Sequence, residues 1–266
     1  MSKYIVGFIG AGNMGGALAA AACKSVEPAQ VIVADRDTDK AATLATVNGC
    51  AVGDNEAVCQ NSRFVFLGVK PQMLSAVAAE LKPLLAEGTV VVSMLAGVTT
   101  ERLANELGER PIIRIMPNTP VAIGEGMILY TANAAVSEAD KAAFVQLLSA
   151  AGQLDEIPEA LIDAGCAVSG CGPAFVYLFV EALADAGAAC GLSRETALQY
   201  AAQTVAGAGR MAVVDERDPV ALREAVCSPG GSTIEGVRVL ERDAALRGIV
   251  ADAVKASFER TKELGK

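Results

Sequence analysis

One stretch near the start constrains the fold more than any other: Ile5-Val6-Gly7-Phe8-Ile9-Gly10-Ala11-Gly12-Asn13-Met14-Gly15. A short apolar strand runs directly into Gly-x-Gly-x-x-Gly, and an alanine-rich helical pattern follows. A bare glycine pattern is weak, but the strand–turn–helix context makes it a dinucleotide-site signature. Each glycine serves a different end. Gly10 permits the tight turn, Gly12 lets the backbone approach a pyrophosphate, and Gly15 allows close helix–strand packing. The helix that follows presents free N–H groups and its positive dipole end to an anion. The plainer reading, a glycine turn that binds nothing, has to treat the agreement of strand, glycines and helix as coincidence.

The segments after this motif alternate. Apolar runs at 4–9, 31–34, 64–69, 89–94, 112–115 and 127–131 are continuous rather than alternating, as expected of strands covered on both faces. Helical patterns lie between them at 14–24, 38–47, 72–82, 99–107 and 138–151. Such alternation predicts a mostly parallel, doubly wound α/β sheet of Rossmann type, with right-handed crossovers. Beyond Gly152 the strand signal stops, and 160–167, 173–190, 194–214, 219–226, 233–242 and 244–264 all read as helix. The expected domains are therefore a dinucleotide-binding domain at 1–152 and an all-α domain at 153–266. Pro173 suits a first helical turn, Gly191 a helix end and Ser193 an N-cap. The helix from 173 to 190 is apolar almost all round, broken by Glu181 and Asp185. In so small a helical region it needs a cover, which predicts a dimer or larger assembly.

Composition narrows the chemistry. The formal net charge of −9 argues against nucleic-acid or anionic-membrane binding. The chain has no histidine, so the commonest general base and metal ligand are missing, and no metal site is expected. Its 7 cysteines form no Cys-x-x-Cys and read as reduced thiols of a cytoplasmic protein. No basic-then-apolar leader opens the chain, and the apolar run 174–180 is too short to span a bilayer.

Several residue groups could carry chemistry. Ala34-Asp35-Arg36 ends the second strand: an acid there favours the ribose 2′-OH of NAD, whereas a nearby arginine accommodates the 2′-phosphate of NADP, and both are present. Asn55 lies on a loop that could reach the same end. Gly68-Val69-Lys70-Pro71, Ala96-Gly97 and Met116-Pro117-Asn118-Thr119-Pro120 follow three further strands, where open α/β sheets bind ligands; each alone is also an ordinary turn. Cys227-Ser228-Pro229-Gly230-Gly231-Ser232-Thr233 joins two helices. N–H groups at Gly230, Gly231, Ser232 and Thr233 would form an anion nest suited to a carboxylate, or the segment is a capped helix joint using the same residue types.

With these motifs in order along essentially the whole chain, the sequence resembles the pyrroline-5-carboxylate reductase family. The carriers are Gly7 to Met14, Val69-Lys70-Pro71, Met116 to Pro120, Val168-Ser169-Gly170-Cys171-Gly172-Pro173-Ala174 and Val226 to Glu235. The Ser-Pro-Gly-Gly segment is the specific one, since the glycine motif is shared widely. The resemblance implies an oxidoreductase that reduces (S)-1-pyrroline-5-carboxylate to L-proline, the last step of proline biosynthesis. It implies NADPH as coenzyme, with NADH the alternative, and a helical domain that dimerises, with dimers built into a decamer. By position, Ile9, Gly10, Ala11, Gly12, Asn13 and Met14 would hold the pyrophosphate, and Asp35, Arg36 and Asn55 the adenosine end. Gly68, Val69, Lys70, Pro71, Ala96, Gly97 and Asn118 would line the nicotinamide side. Ser228, Gly230, Gly231, Ser232 and Thr233 would hold the substrate, joined by Glu216, which stands near the place of a glutamate in some relatives; Thr233 would be the catalytic hydroxyl. Ser232 replaces the usual threonine or alanine, and Gly236 the usual alanine. A related reductase of another cyclic imine or small oxo acid is the second reading. A non-catalytic nucleotide binder is the third, and it has no use for a carboxylate nest.

Overall fold

The computed structural model describes residues 2–264. Among them eight strands form one sheet in the order β3-β2-β1-β4-β5-β6-β7-β8. The strands are β1 (Tyr4–Ile9), β2 (Val31–Ala34), β3 (Ala51–Val52), β4 (Ser62–Leu67), β5 (Val90–Ser93), β6 (Ile112–Pro117), β7 (Gly126–Ala132) and β8 (Gly152–Glu156). From β3 to β6 all neighbours are parallel, β6 and β7 are antiparallel, and β8 runs parallel to β7. The order reverses between β1 and β4, the topological switch point where such sheets bind ligands.

Residue alternation divides the core between two faces. Val6, Phe8, Phe64 and Phe66 pack under α1 (Asn13–Ser25), α2 (Thr38–Asn48) and α6 (Glu138–Leu147). Their neighbours Ile9, Val65 and Leu67 face α3 (Asn55–Asn61), α4 (Leu74–Leu81) and α5 (Thr100–Leu107). Both faces are apolar, which is why the runs are continuous in sequence. The Phe8 and Phe66 rings lie 4.6 Å apart at their centroids.

The expected strands and first-domain helices are present, with ends shifted by a few residues. Three elements depart from expectation. β3 has two residues and α3 seven, both too short for a periodic signal. β8 overturns the expectation that strands stop at 152: Gly-Gln-Leu-Asp-Glu is a largely solvent-facing edge strand, so its sequence is polar.

The chain divides into two compact units, the first running to Cys171 and regaining the residues from Ser257, the second spanning Gly172–Ala256. The boundary expected at 152/153 thus falls inside the first unit, where β8 pairs with β7 and α7 (Glu159–Gly165) packs on β7. A π-turn, Cys166–Gly170, follows α7, with the Cys171 N–H donating to the Cys166 carbonyl at 2.9 Å. In the second unit α8 (Gly172–Ala189) and α9 (Arg194–Val214) form a hairpin. Gly191, at φ +106°, lies in their turn, and the Ser193 hydroxyl caps α9 by accepting from the Thr196 N–H at 3.1 Å. A Cβ on Gly187 would sit 3.3 Å from the Ala197 Cβ, so small residues set the helix spacing. The unit continues with α10 (Pro219–Val226), α11 (Ser232–Glu241) and most of α12 (Ala245–Leu264). Of α8 only Ala184 is buried; Tyr177, Leu178 and Phe179 are exposed. The helix from Glu159 to Ala189 is continuous over 31 residues, long and apolar enough to cross a membrane by length and composition, unlike the short run read from sequence.

Candidate dinucleotide and substrate sites

The loop after β1 is wedged between the carboxyl ends of β2 and β4. The Gly10 N–H donates to the Ala34 carbonyl and the Gly68 N–H to the Ile9 carbonyl, each at 2.8 Å. There is no room for side chains on the inner side. A Cβ on Gly10, itself at φ +107°, would lie 2.5 Å from the Gly68 oxygen, and one on Gly15 would lie 2.1 Å from the Gly10 oxygen. Gly12 is different: a Cβ there would meet no protein atom within 4 Å. Its bareness serves nothing in the folded chain and leaves open space over the start of α1. The N–H groups of Asn13 and Met14 in that first turn have no protein acceptor among the described residues. Two glycines for folding, one for approach and an unpartnered helix start fit a dinucleotide pyrophosphate.

The residues expected at the adenosine end lie nearby in the same unit. A cavity of 320 Å³ opens at the end of β2, between Asp35 and Arg36 on one side and Asp54, Asn55, Glu56 and Glu80 on the other. Asp35 is tied to the glycine loop, its carboxylate accepting from the Ala11 N–H at 2.6 Å and from the Asp37 N–H at 2.9 Å. Asp54 caps α3 by accepting from the Ala57 N–H at 2.8 Å. The Asn55 side-chain amide donates to Glu80 at 2.7 Å, joining α3 to α4. The structure thus brings the three expected residues, Asp35, Arg36 and Asn55, to one cavity. Asp54, Glu56 and Glu80 were missed from sequence; Asp54 three residues before Ala57 is a capping signal that could have revealed α3.

The other strand ends share this edge of the sheet. Lys70 is exposed and precedes a 3-10 turn, Pro71–Met73, whose Met73 N–H donates to the Lys70 carbonyl at 2.9 Å. Ala96 and Gly97 sit in a turn closed by the Val98 N–H donating to Leu95, with Gly97 at φ +74°. Asn118 is buried, and its side chain is spent on structure. Its amide donates to the Ser169 carbonyl at 3.0 Å, and its oxygen accepts from the Met127 N–H at 2.9 Å. The cause of the first bond is Pro173: with no N–H, it cannot satisfy the carbonyl four residues back, which is Ser169. On β6, which leads into Asn118, buried Arg114 donates to Asp163 at 2.6 Å and lies 3.5 Å from Glu159, which in turn accepts from the Thr100 N–H at 2.7 Å. This network fastens α7 to the sheet.

In the second unit, the turn between α10 and α11 carries the other cluster. Gly230 has φ +70°, and the Gly231 N–H donates to the Ser228 carbonyl at 3.0 Å. That bond corrects the expected nest, because the Gly231 N–H is used within the turn. Ser232 and Thr233 keep theirs: they open α11, whose N-terminus has no side-chain cap, and their N–H groups have no protein acceptor among the described residues. A Cβ on Gly231 would lie 2.6 Å from the Ser228 Oγ, so a side chain there would turn that hydroxyl away from the turn. Ser228, Ser232 and Thr233 are all exposed. Glu216 is exposed in the link before α10; its neighbour Asp215 is held at about 2 by hydrogen bonds from Arg217.

Both parts of the chain are similar to known proteins. A family model described as pyrroline-5-carboxylate reductase dimerisation matches residues 159–264. One described as NADP oxidoreductase, coenzyme F420-dependent, matches residues 5–97. The pyrroline-5-carboxylate reductase of Escherichia coli is 39% identical over 265 residues, covering 98% of each chain. The structure of the reductase from Coxiella burnetii superposes with a TM-score of 0.91 at 36% identity, covering 100% of both chains. That of Plasmodium falciparum pyrroline carboxylate reductase with NADP bound gives 0.87 at 31% identity, again over 100% of both chains.

Proposed function

The chain belongs to the pyrroline-5-carboxylate reductase family, and from that membership we propose that it reduces the imine of (S)-1-pyrroline-5-carboxylate to L-proline, the last step of proline biosynthesis. It is an oxidoreductase dependent on NADPH or NADH. The observation that carries the reading is the pairing, within one full-length match, of a glycine cradle with a Ser228–Thr233 turn that keeps unpartnered N–H groups.

The residues divide the work. Gly10 to Met14 hold the pyrophosphate, Asp35, Arg36 and Asn55 face the adenosine ribose, and the turns at Gly68–Pro71 and Ala96-Gly97 wall the nicotinamide. When bound, the dinucleotide supplies the hydride. The Ser232 and Thr233 N–H groups, with the Ser228 hydroxyl, bind the substrate carboxylate. The Thr233 hydroxyl hydrogen-bonds the ring nitrogen and orients its proton. A cyclic imine is already electrophilic, and more so when protonated, so positioning accounts for most of the rate and no histidine is needed.

The test is to mix the purified protein with pyrroline-5-carboxylate and follow the absorbance of reduced nicotinamide and the appearance of proline. Thr233→Val removes the hydroxyl at similar volume and is expected to lower turnover by about one to three orders of magnitude. Unchanged kinetics would remove Thr233 from the mechanism, and a wild type that binds coenzyme without oxidising it would defeat the reading. Faster reduction of another cyclic imine would favour the related reductase.

We also assign the bare apolar face of α8 to a second copy of the chain, giving a homodimer and, by association of dimers, a decamer. A membrane is the poorer cover, because Glu181 and Asp185 would enter it at about 2.5–3.5 kcal/mol for a central acid. The assembly is cytoplasmic and binds no nucleic acid. Sedimentation equilibrium tests it: a monomer at micromolar concentration would overturn the assignment.

A further inference from the structure

Resting on the coenzyme reading above, we propose that this chain selects NADH over NADPH, and that the carboxylates of the cavity at the end of β2 make the selection. The cavity that takes the adenosine ribose is lined by Asp35, Asp54, Glu56 and Glu80, against the single cation Arg36. None of these acids forms a salt bridge among the described residues. They are held by neutral donors instead: Asp35 by the Ala11 and Asp37 N–H groups, Asp54 by Ala57, Glu56 by the Gln60 side chain at 2.9 Å, and Glu80 by Asn55. Neutral donors fix a carboxylate without cancelling its charge.

The two coenzymes differ only at the ribose 2′ position. NADH offers a hydroxyl, which can donate to a carboxylate; NADPH offers a phosphate carrying about two negative charges, which can only accept. Asp35 is anchored to the same loop that cradles the pyrophosphate, so its place relative to the ribose is set by backbone. Arg36 is exposed, as are Asp54, Glu56 and Glu80, so the balance rests on number: one guanidinium does not offset four acids facing a dianion. Repulsion between like charges lining one cavity is expected to give about a ten- to hundredfold discrimination.

Direct titration of NADH and NADPH against the whole protein by calorimetry reads this without catalysis. The expected result is a Kd for NADPH about ten- to hundredfold above that for NADH. Salt narrows the gap by improving NADPH binding, since it screens a repulsion. Asp35→Asn keeps the shape and can still accept from the Ala11 N–H, giving up only the bond from the Asp37 N–H, and is expected to cut the ratio about tenfold; Glu80→Gln cuts it less. Equal or tighter binding of NADPH, NADPH binding that weakens with salt, or a ratio unmoved by Asp35→Asn together with Glu80→Gln would overturn the proposal. Selective binding of NADH without turnover of pyrroline-5-carboxylate would sink the substrate reading and leave this one standing. Failure to bind either coenzyme would overturn both.

Discussion

Gly12→Ala and Gly15→Ala are chemically the same change three residues apart, yet the structure predicts opposite failures. At Gly15 the new methyl lies 2.1 Å from the Gly10 carbonyl oxygen, where a carbon–oxygen contact needs about 3.3 Å. Helix α1 must retreat by roughly 1 Å, an overpacking cost of about 1–3 kcal/mol. The atom struck is backbone, so the upper part of that range, about 2–3 kcal/mol, applies; better helix propensity returns up to about 1 kcal/mol, leaving a net loss of about 1–2 kcal/mol. At Gly12 no protein atom lies within 4 Å, and its φ of −68° suits alanine. A lost N-cap glycine costs a few tenths to about 1 kcal/mol, and the stiffer unfolded chain returns about 0.4–1 kcal/mol. The free protein should therefore be unchanged within about 0.5 kcal/mol. The methyl instead fills the space assigned to the pyrophosphate. Thermal melts with and without coenzyme separate the two. At a hundredfold excess over Kd, coenzyme stabilises the wild type by about 2.7 kcal/mol, or roughly 5–10 °C for a chain of this size. Gly12→Ala should melt like the wild type when free and lose that shift. Gly15→Ala should melt about 2–8 °C lower before any coenzyme is added. A Gly12→Ala protein that keeps the full coenzyme shift would refute the cradle, and one that melts as low as Gly15→Ala would refute the open space.

Arg114→Leu leaves Asp163 and Glu159 without their guanidinium, and urea unfolding should show a loss of about 3 kcal/mol, the low end for a broken buried pair because both acids keep some water; a loss below about 1 kcal/mol would mean the network is idle. Burial pushes the Cys59 thiol from its ordinary value of 9.0 up to about 12. Between those values the folded protein keeps a proton that the unfolded chain releases, so stability falls as pH rises through that window. Cys59→Ala should flatten the fall between pH 9 and 10 in urea titrations, and an unchanged slope would contradict the burial account.

Legibility in the sequence followed the physical carrier of each feature. Strands such as Val31–Ala34 and Val90–Ser93 are buried on both faces, so burial writes itself as an unbroken apolar run. β8 carries the opposite message: at the edge, mostly facing solvent, its residues need only backbone pairing with β7, and polarity hides it. The π-turn was hidden for another reason. Residues 166–170 have helical composition, and what shifts their hydrogen bonds is the proline three residues further on.

The same distinction governs the site. The glycine loop proposed to hold the pyrophosphate was legible because it is made by backbone, and glycine is the residue that records a backbone demand locally. The Ser228–Thr233 turn was legible for the same reason, apart from the Gly231 N–H, whose partner Ser228 could be known only from the turn's geometry. The adenosine cavity is made by side chains from β2, α3 and α4, and no local pattern records that Glu80 lies against Asn55, 25 positions away. Asp35-Arg36 alone left the choice of coenzyme balanced. In the proposed selection of NADH it is the assembly of Asp54, Glu56 and Glu80 around that pair that would tip it, so a specificity of that kind would belong to the tertiary structure even though the reaction class was readable from the chain.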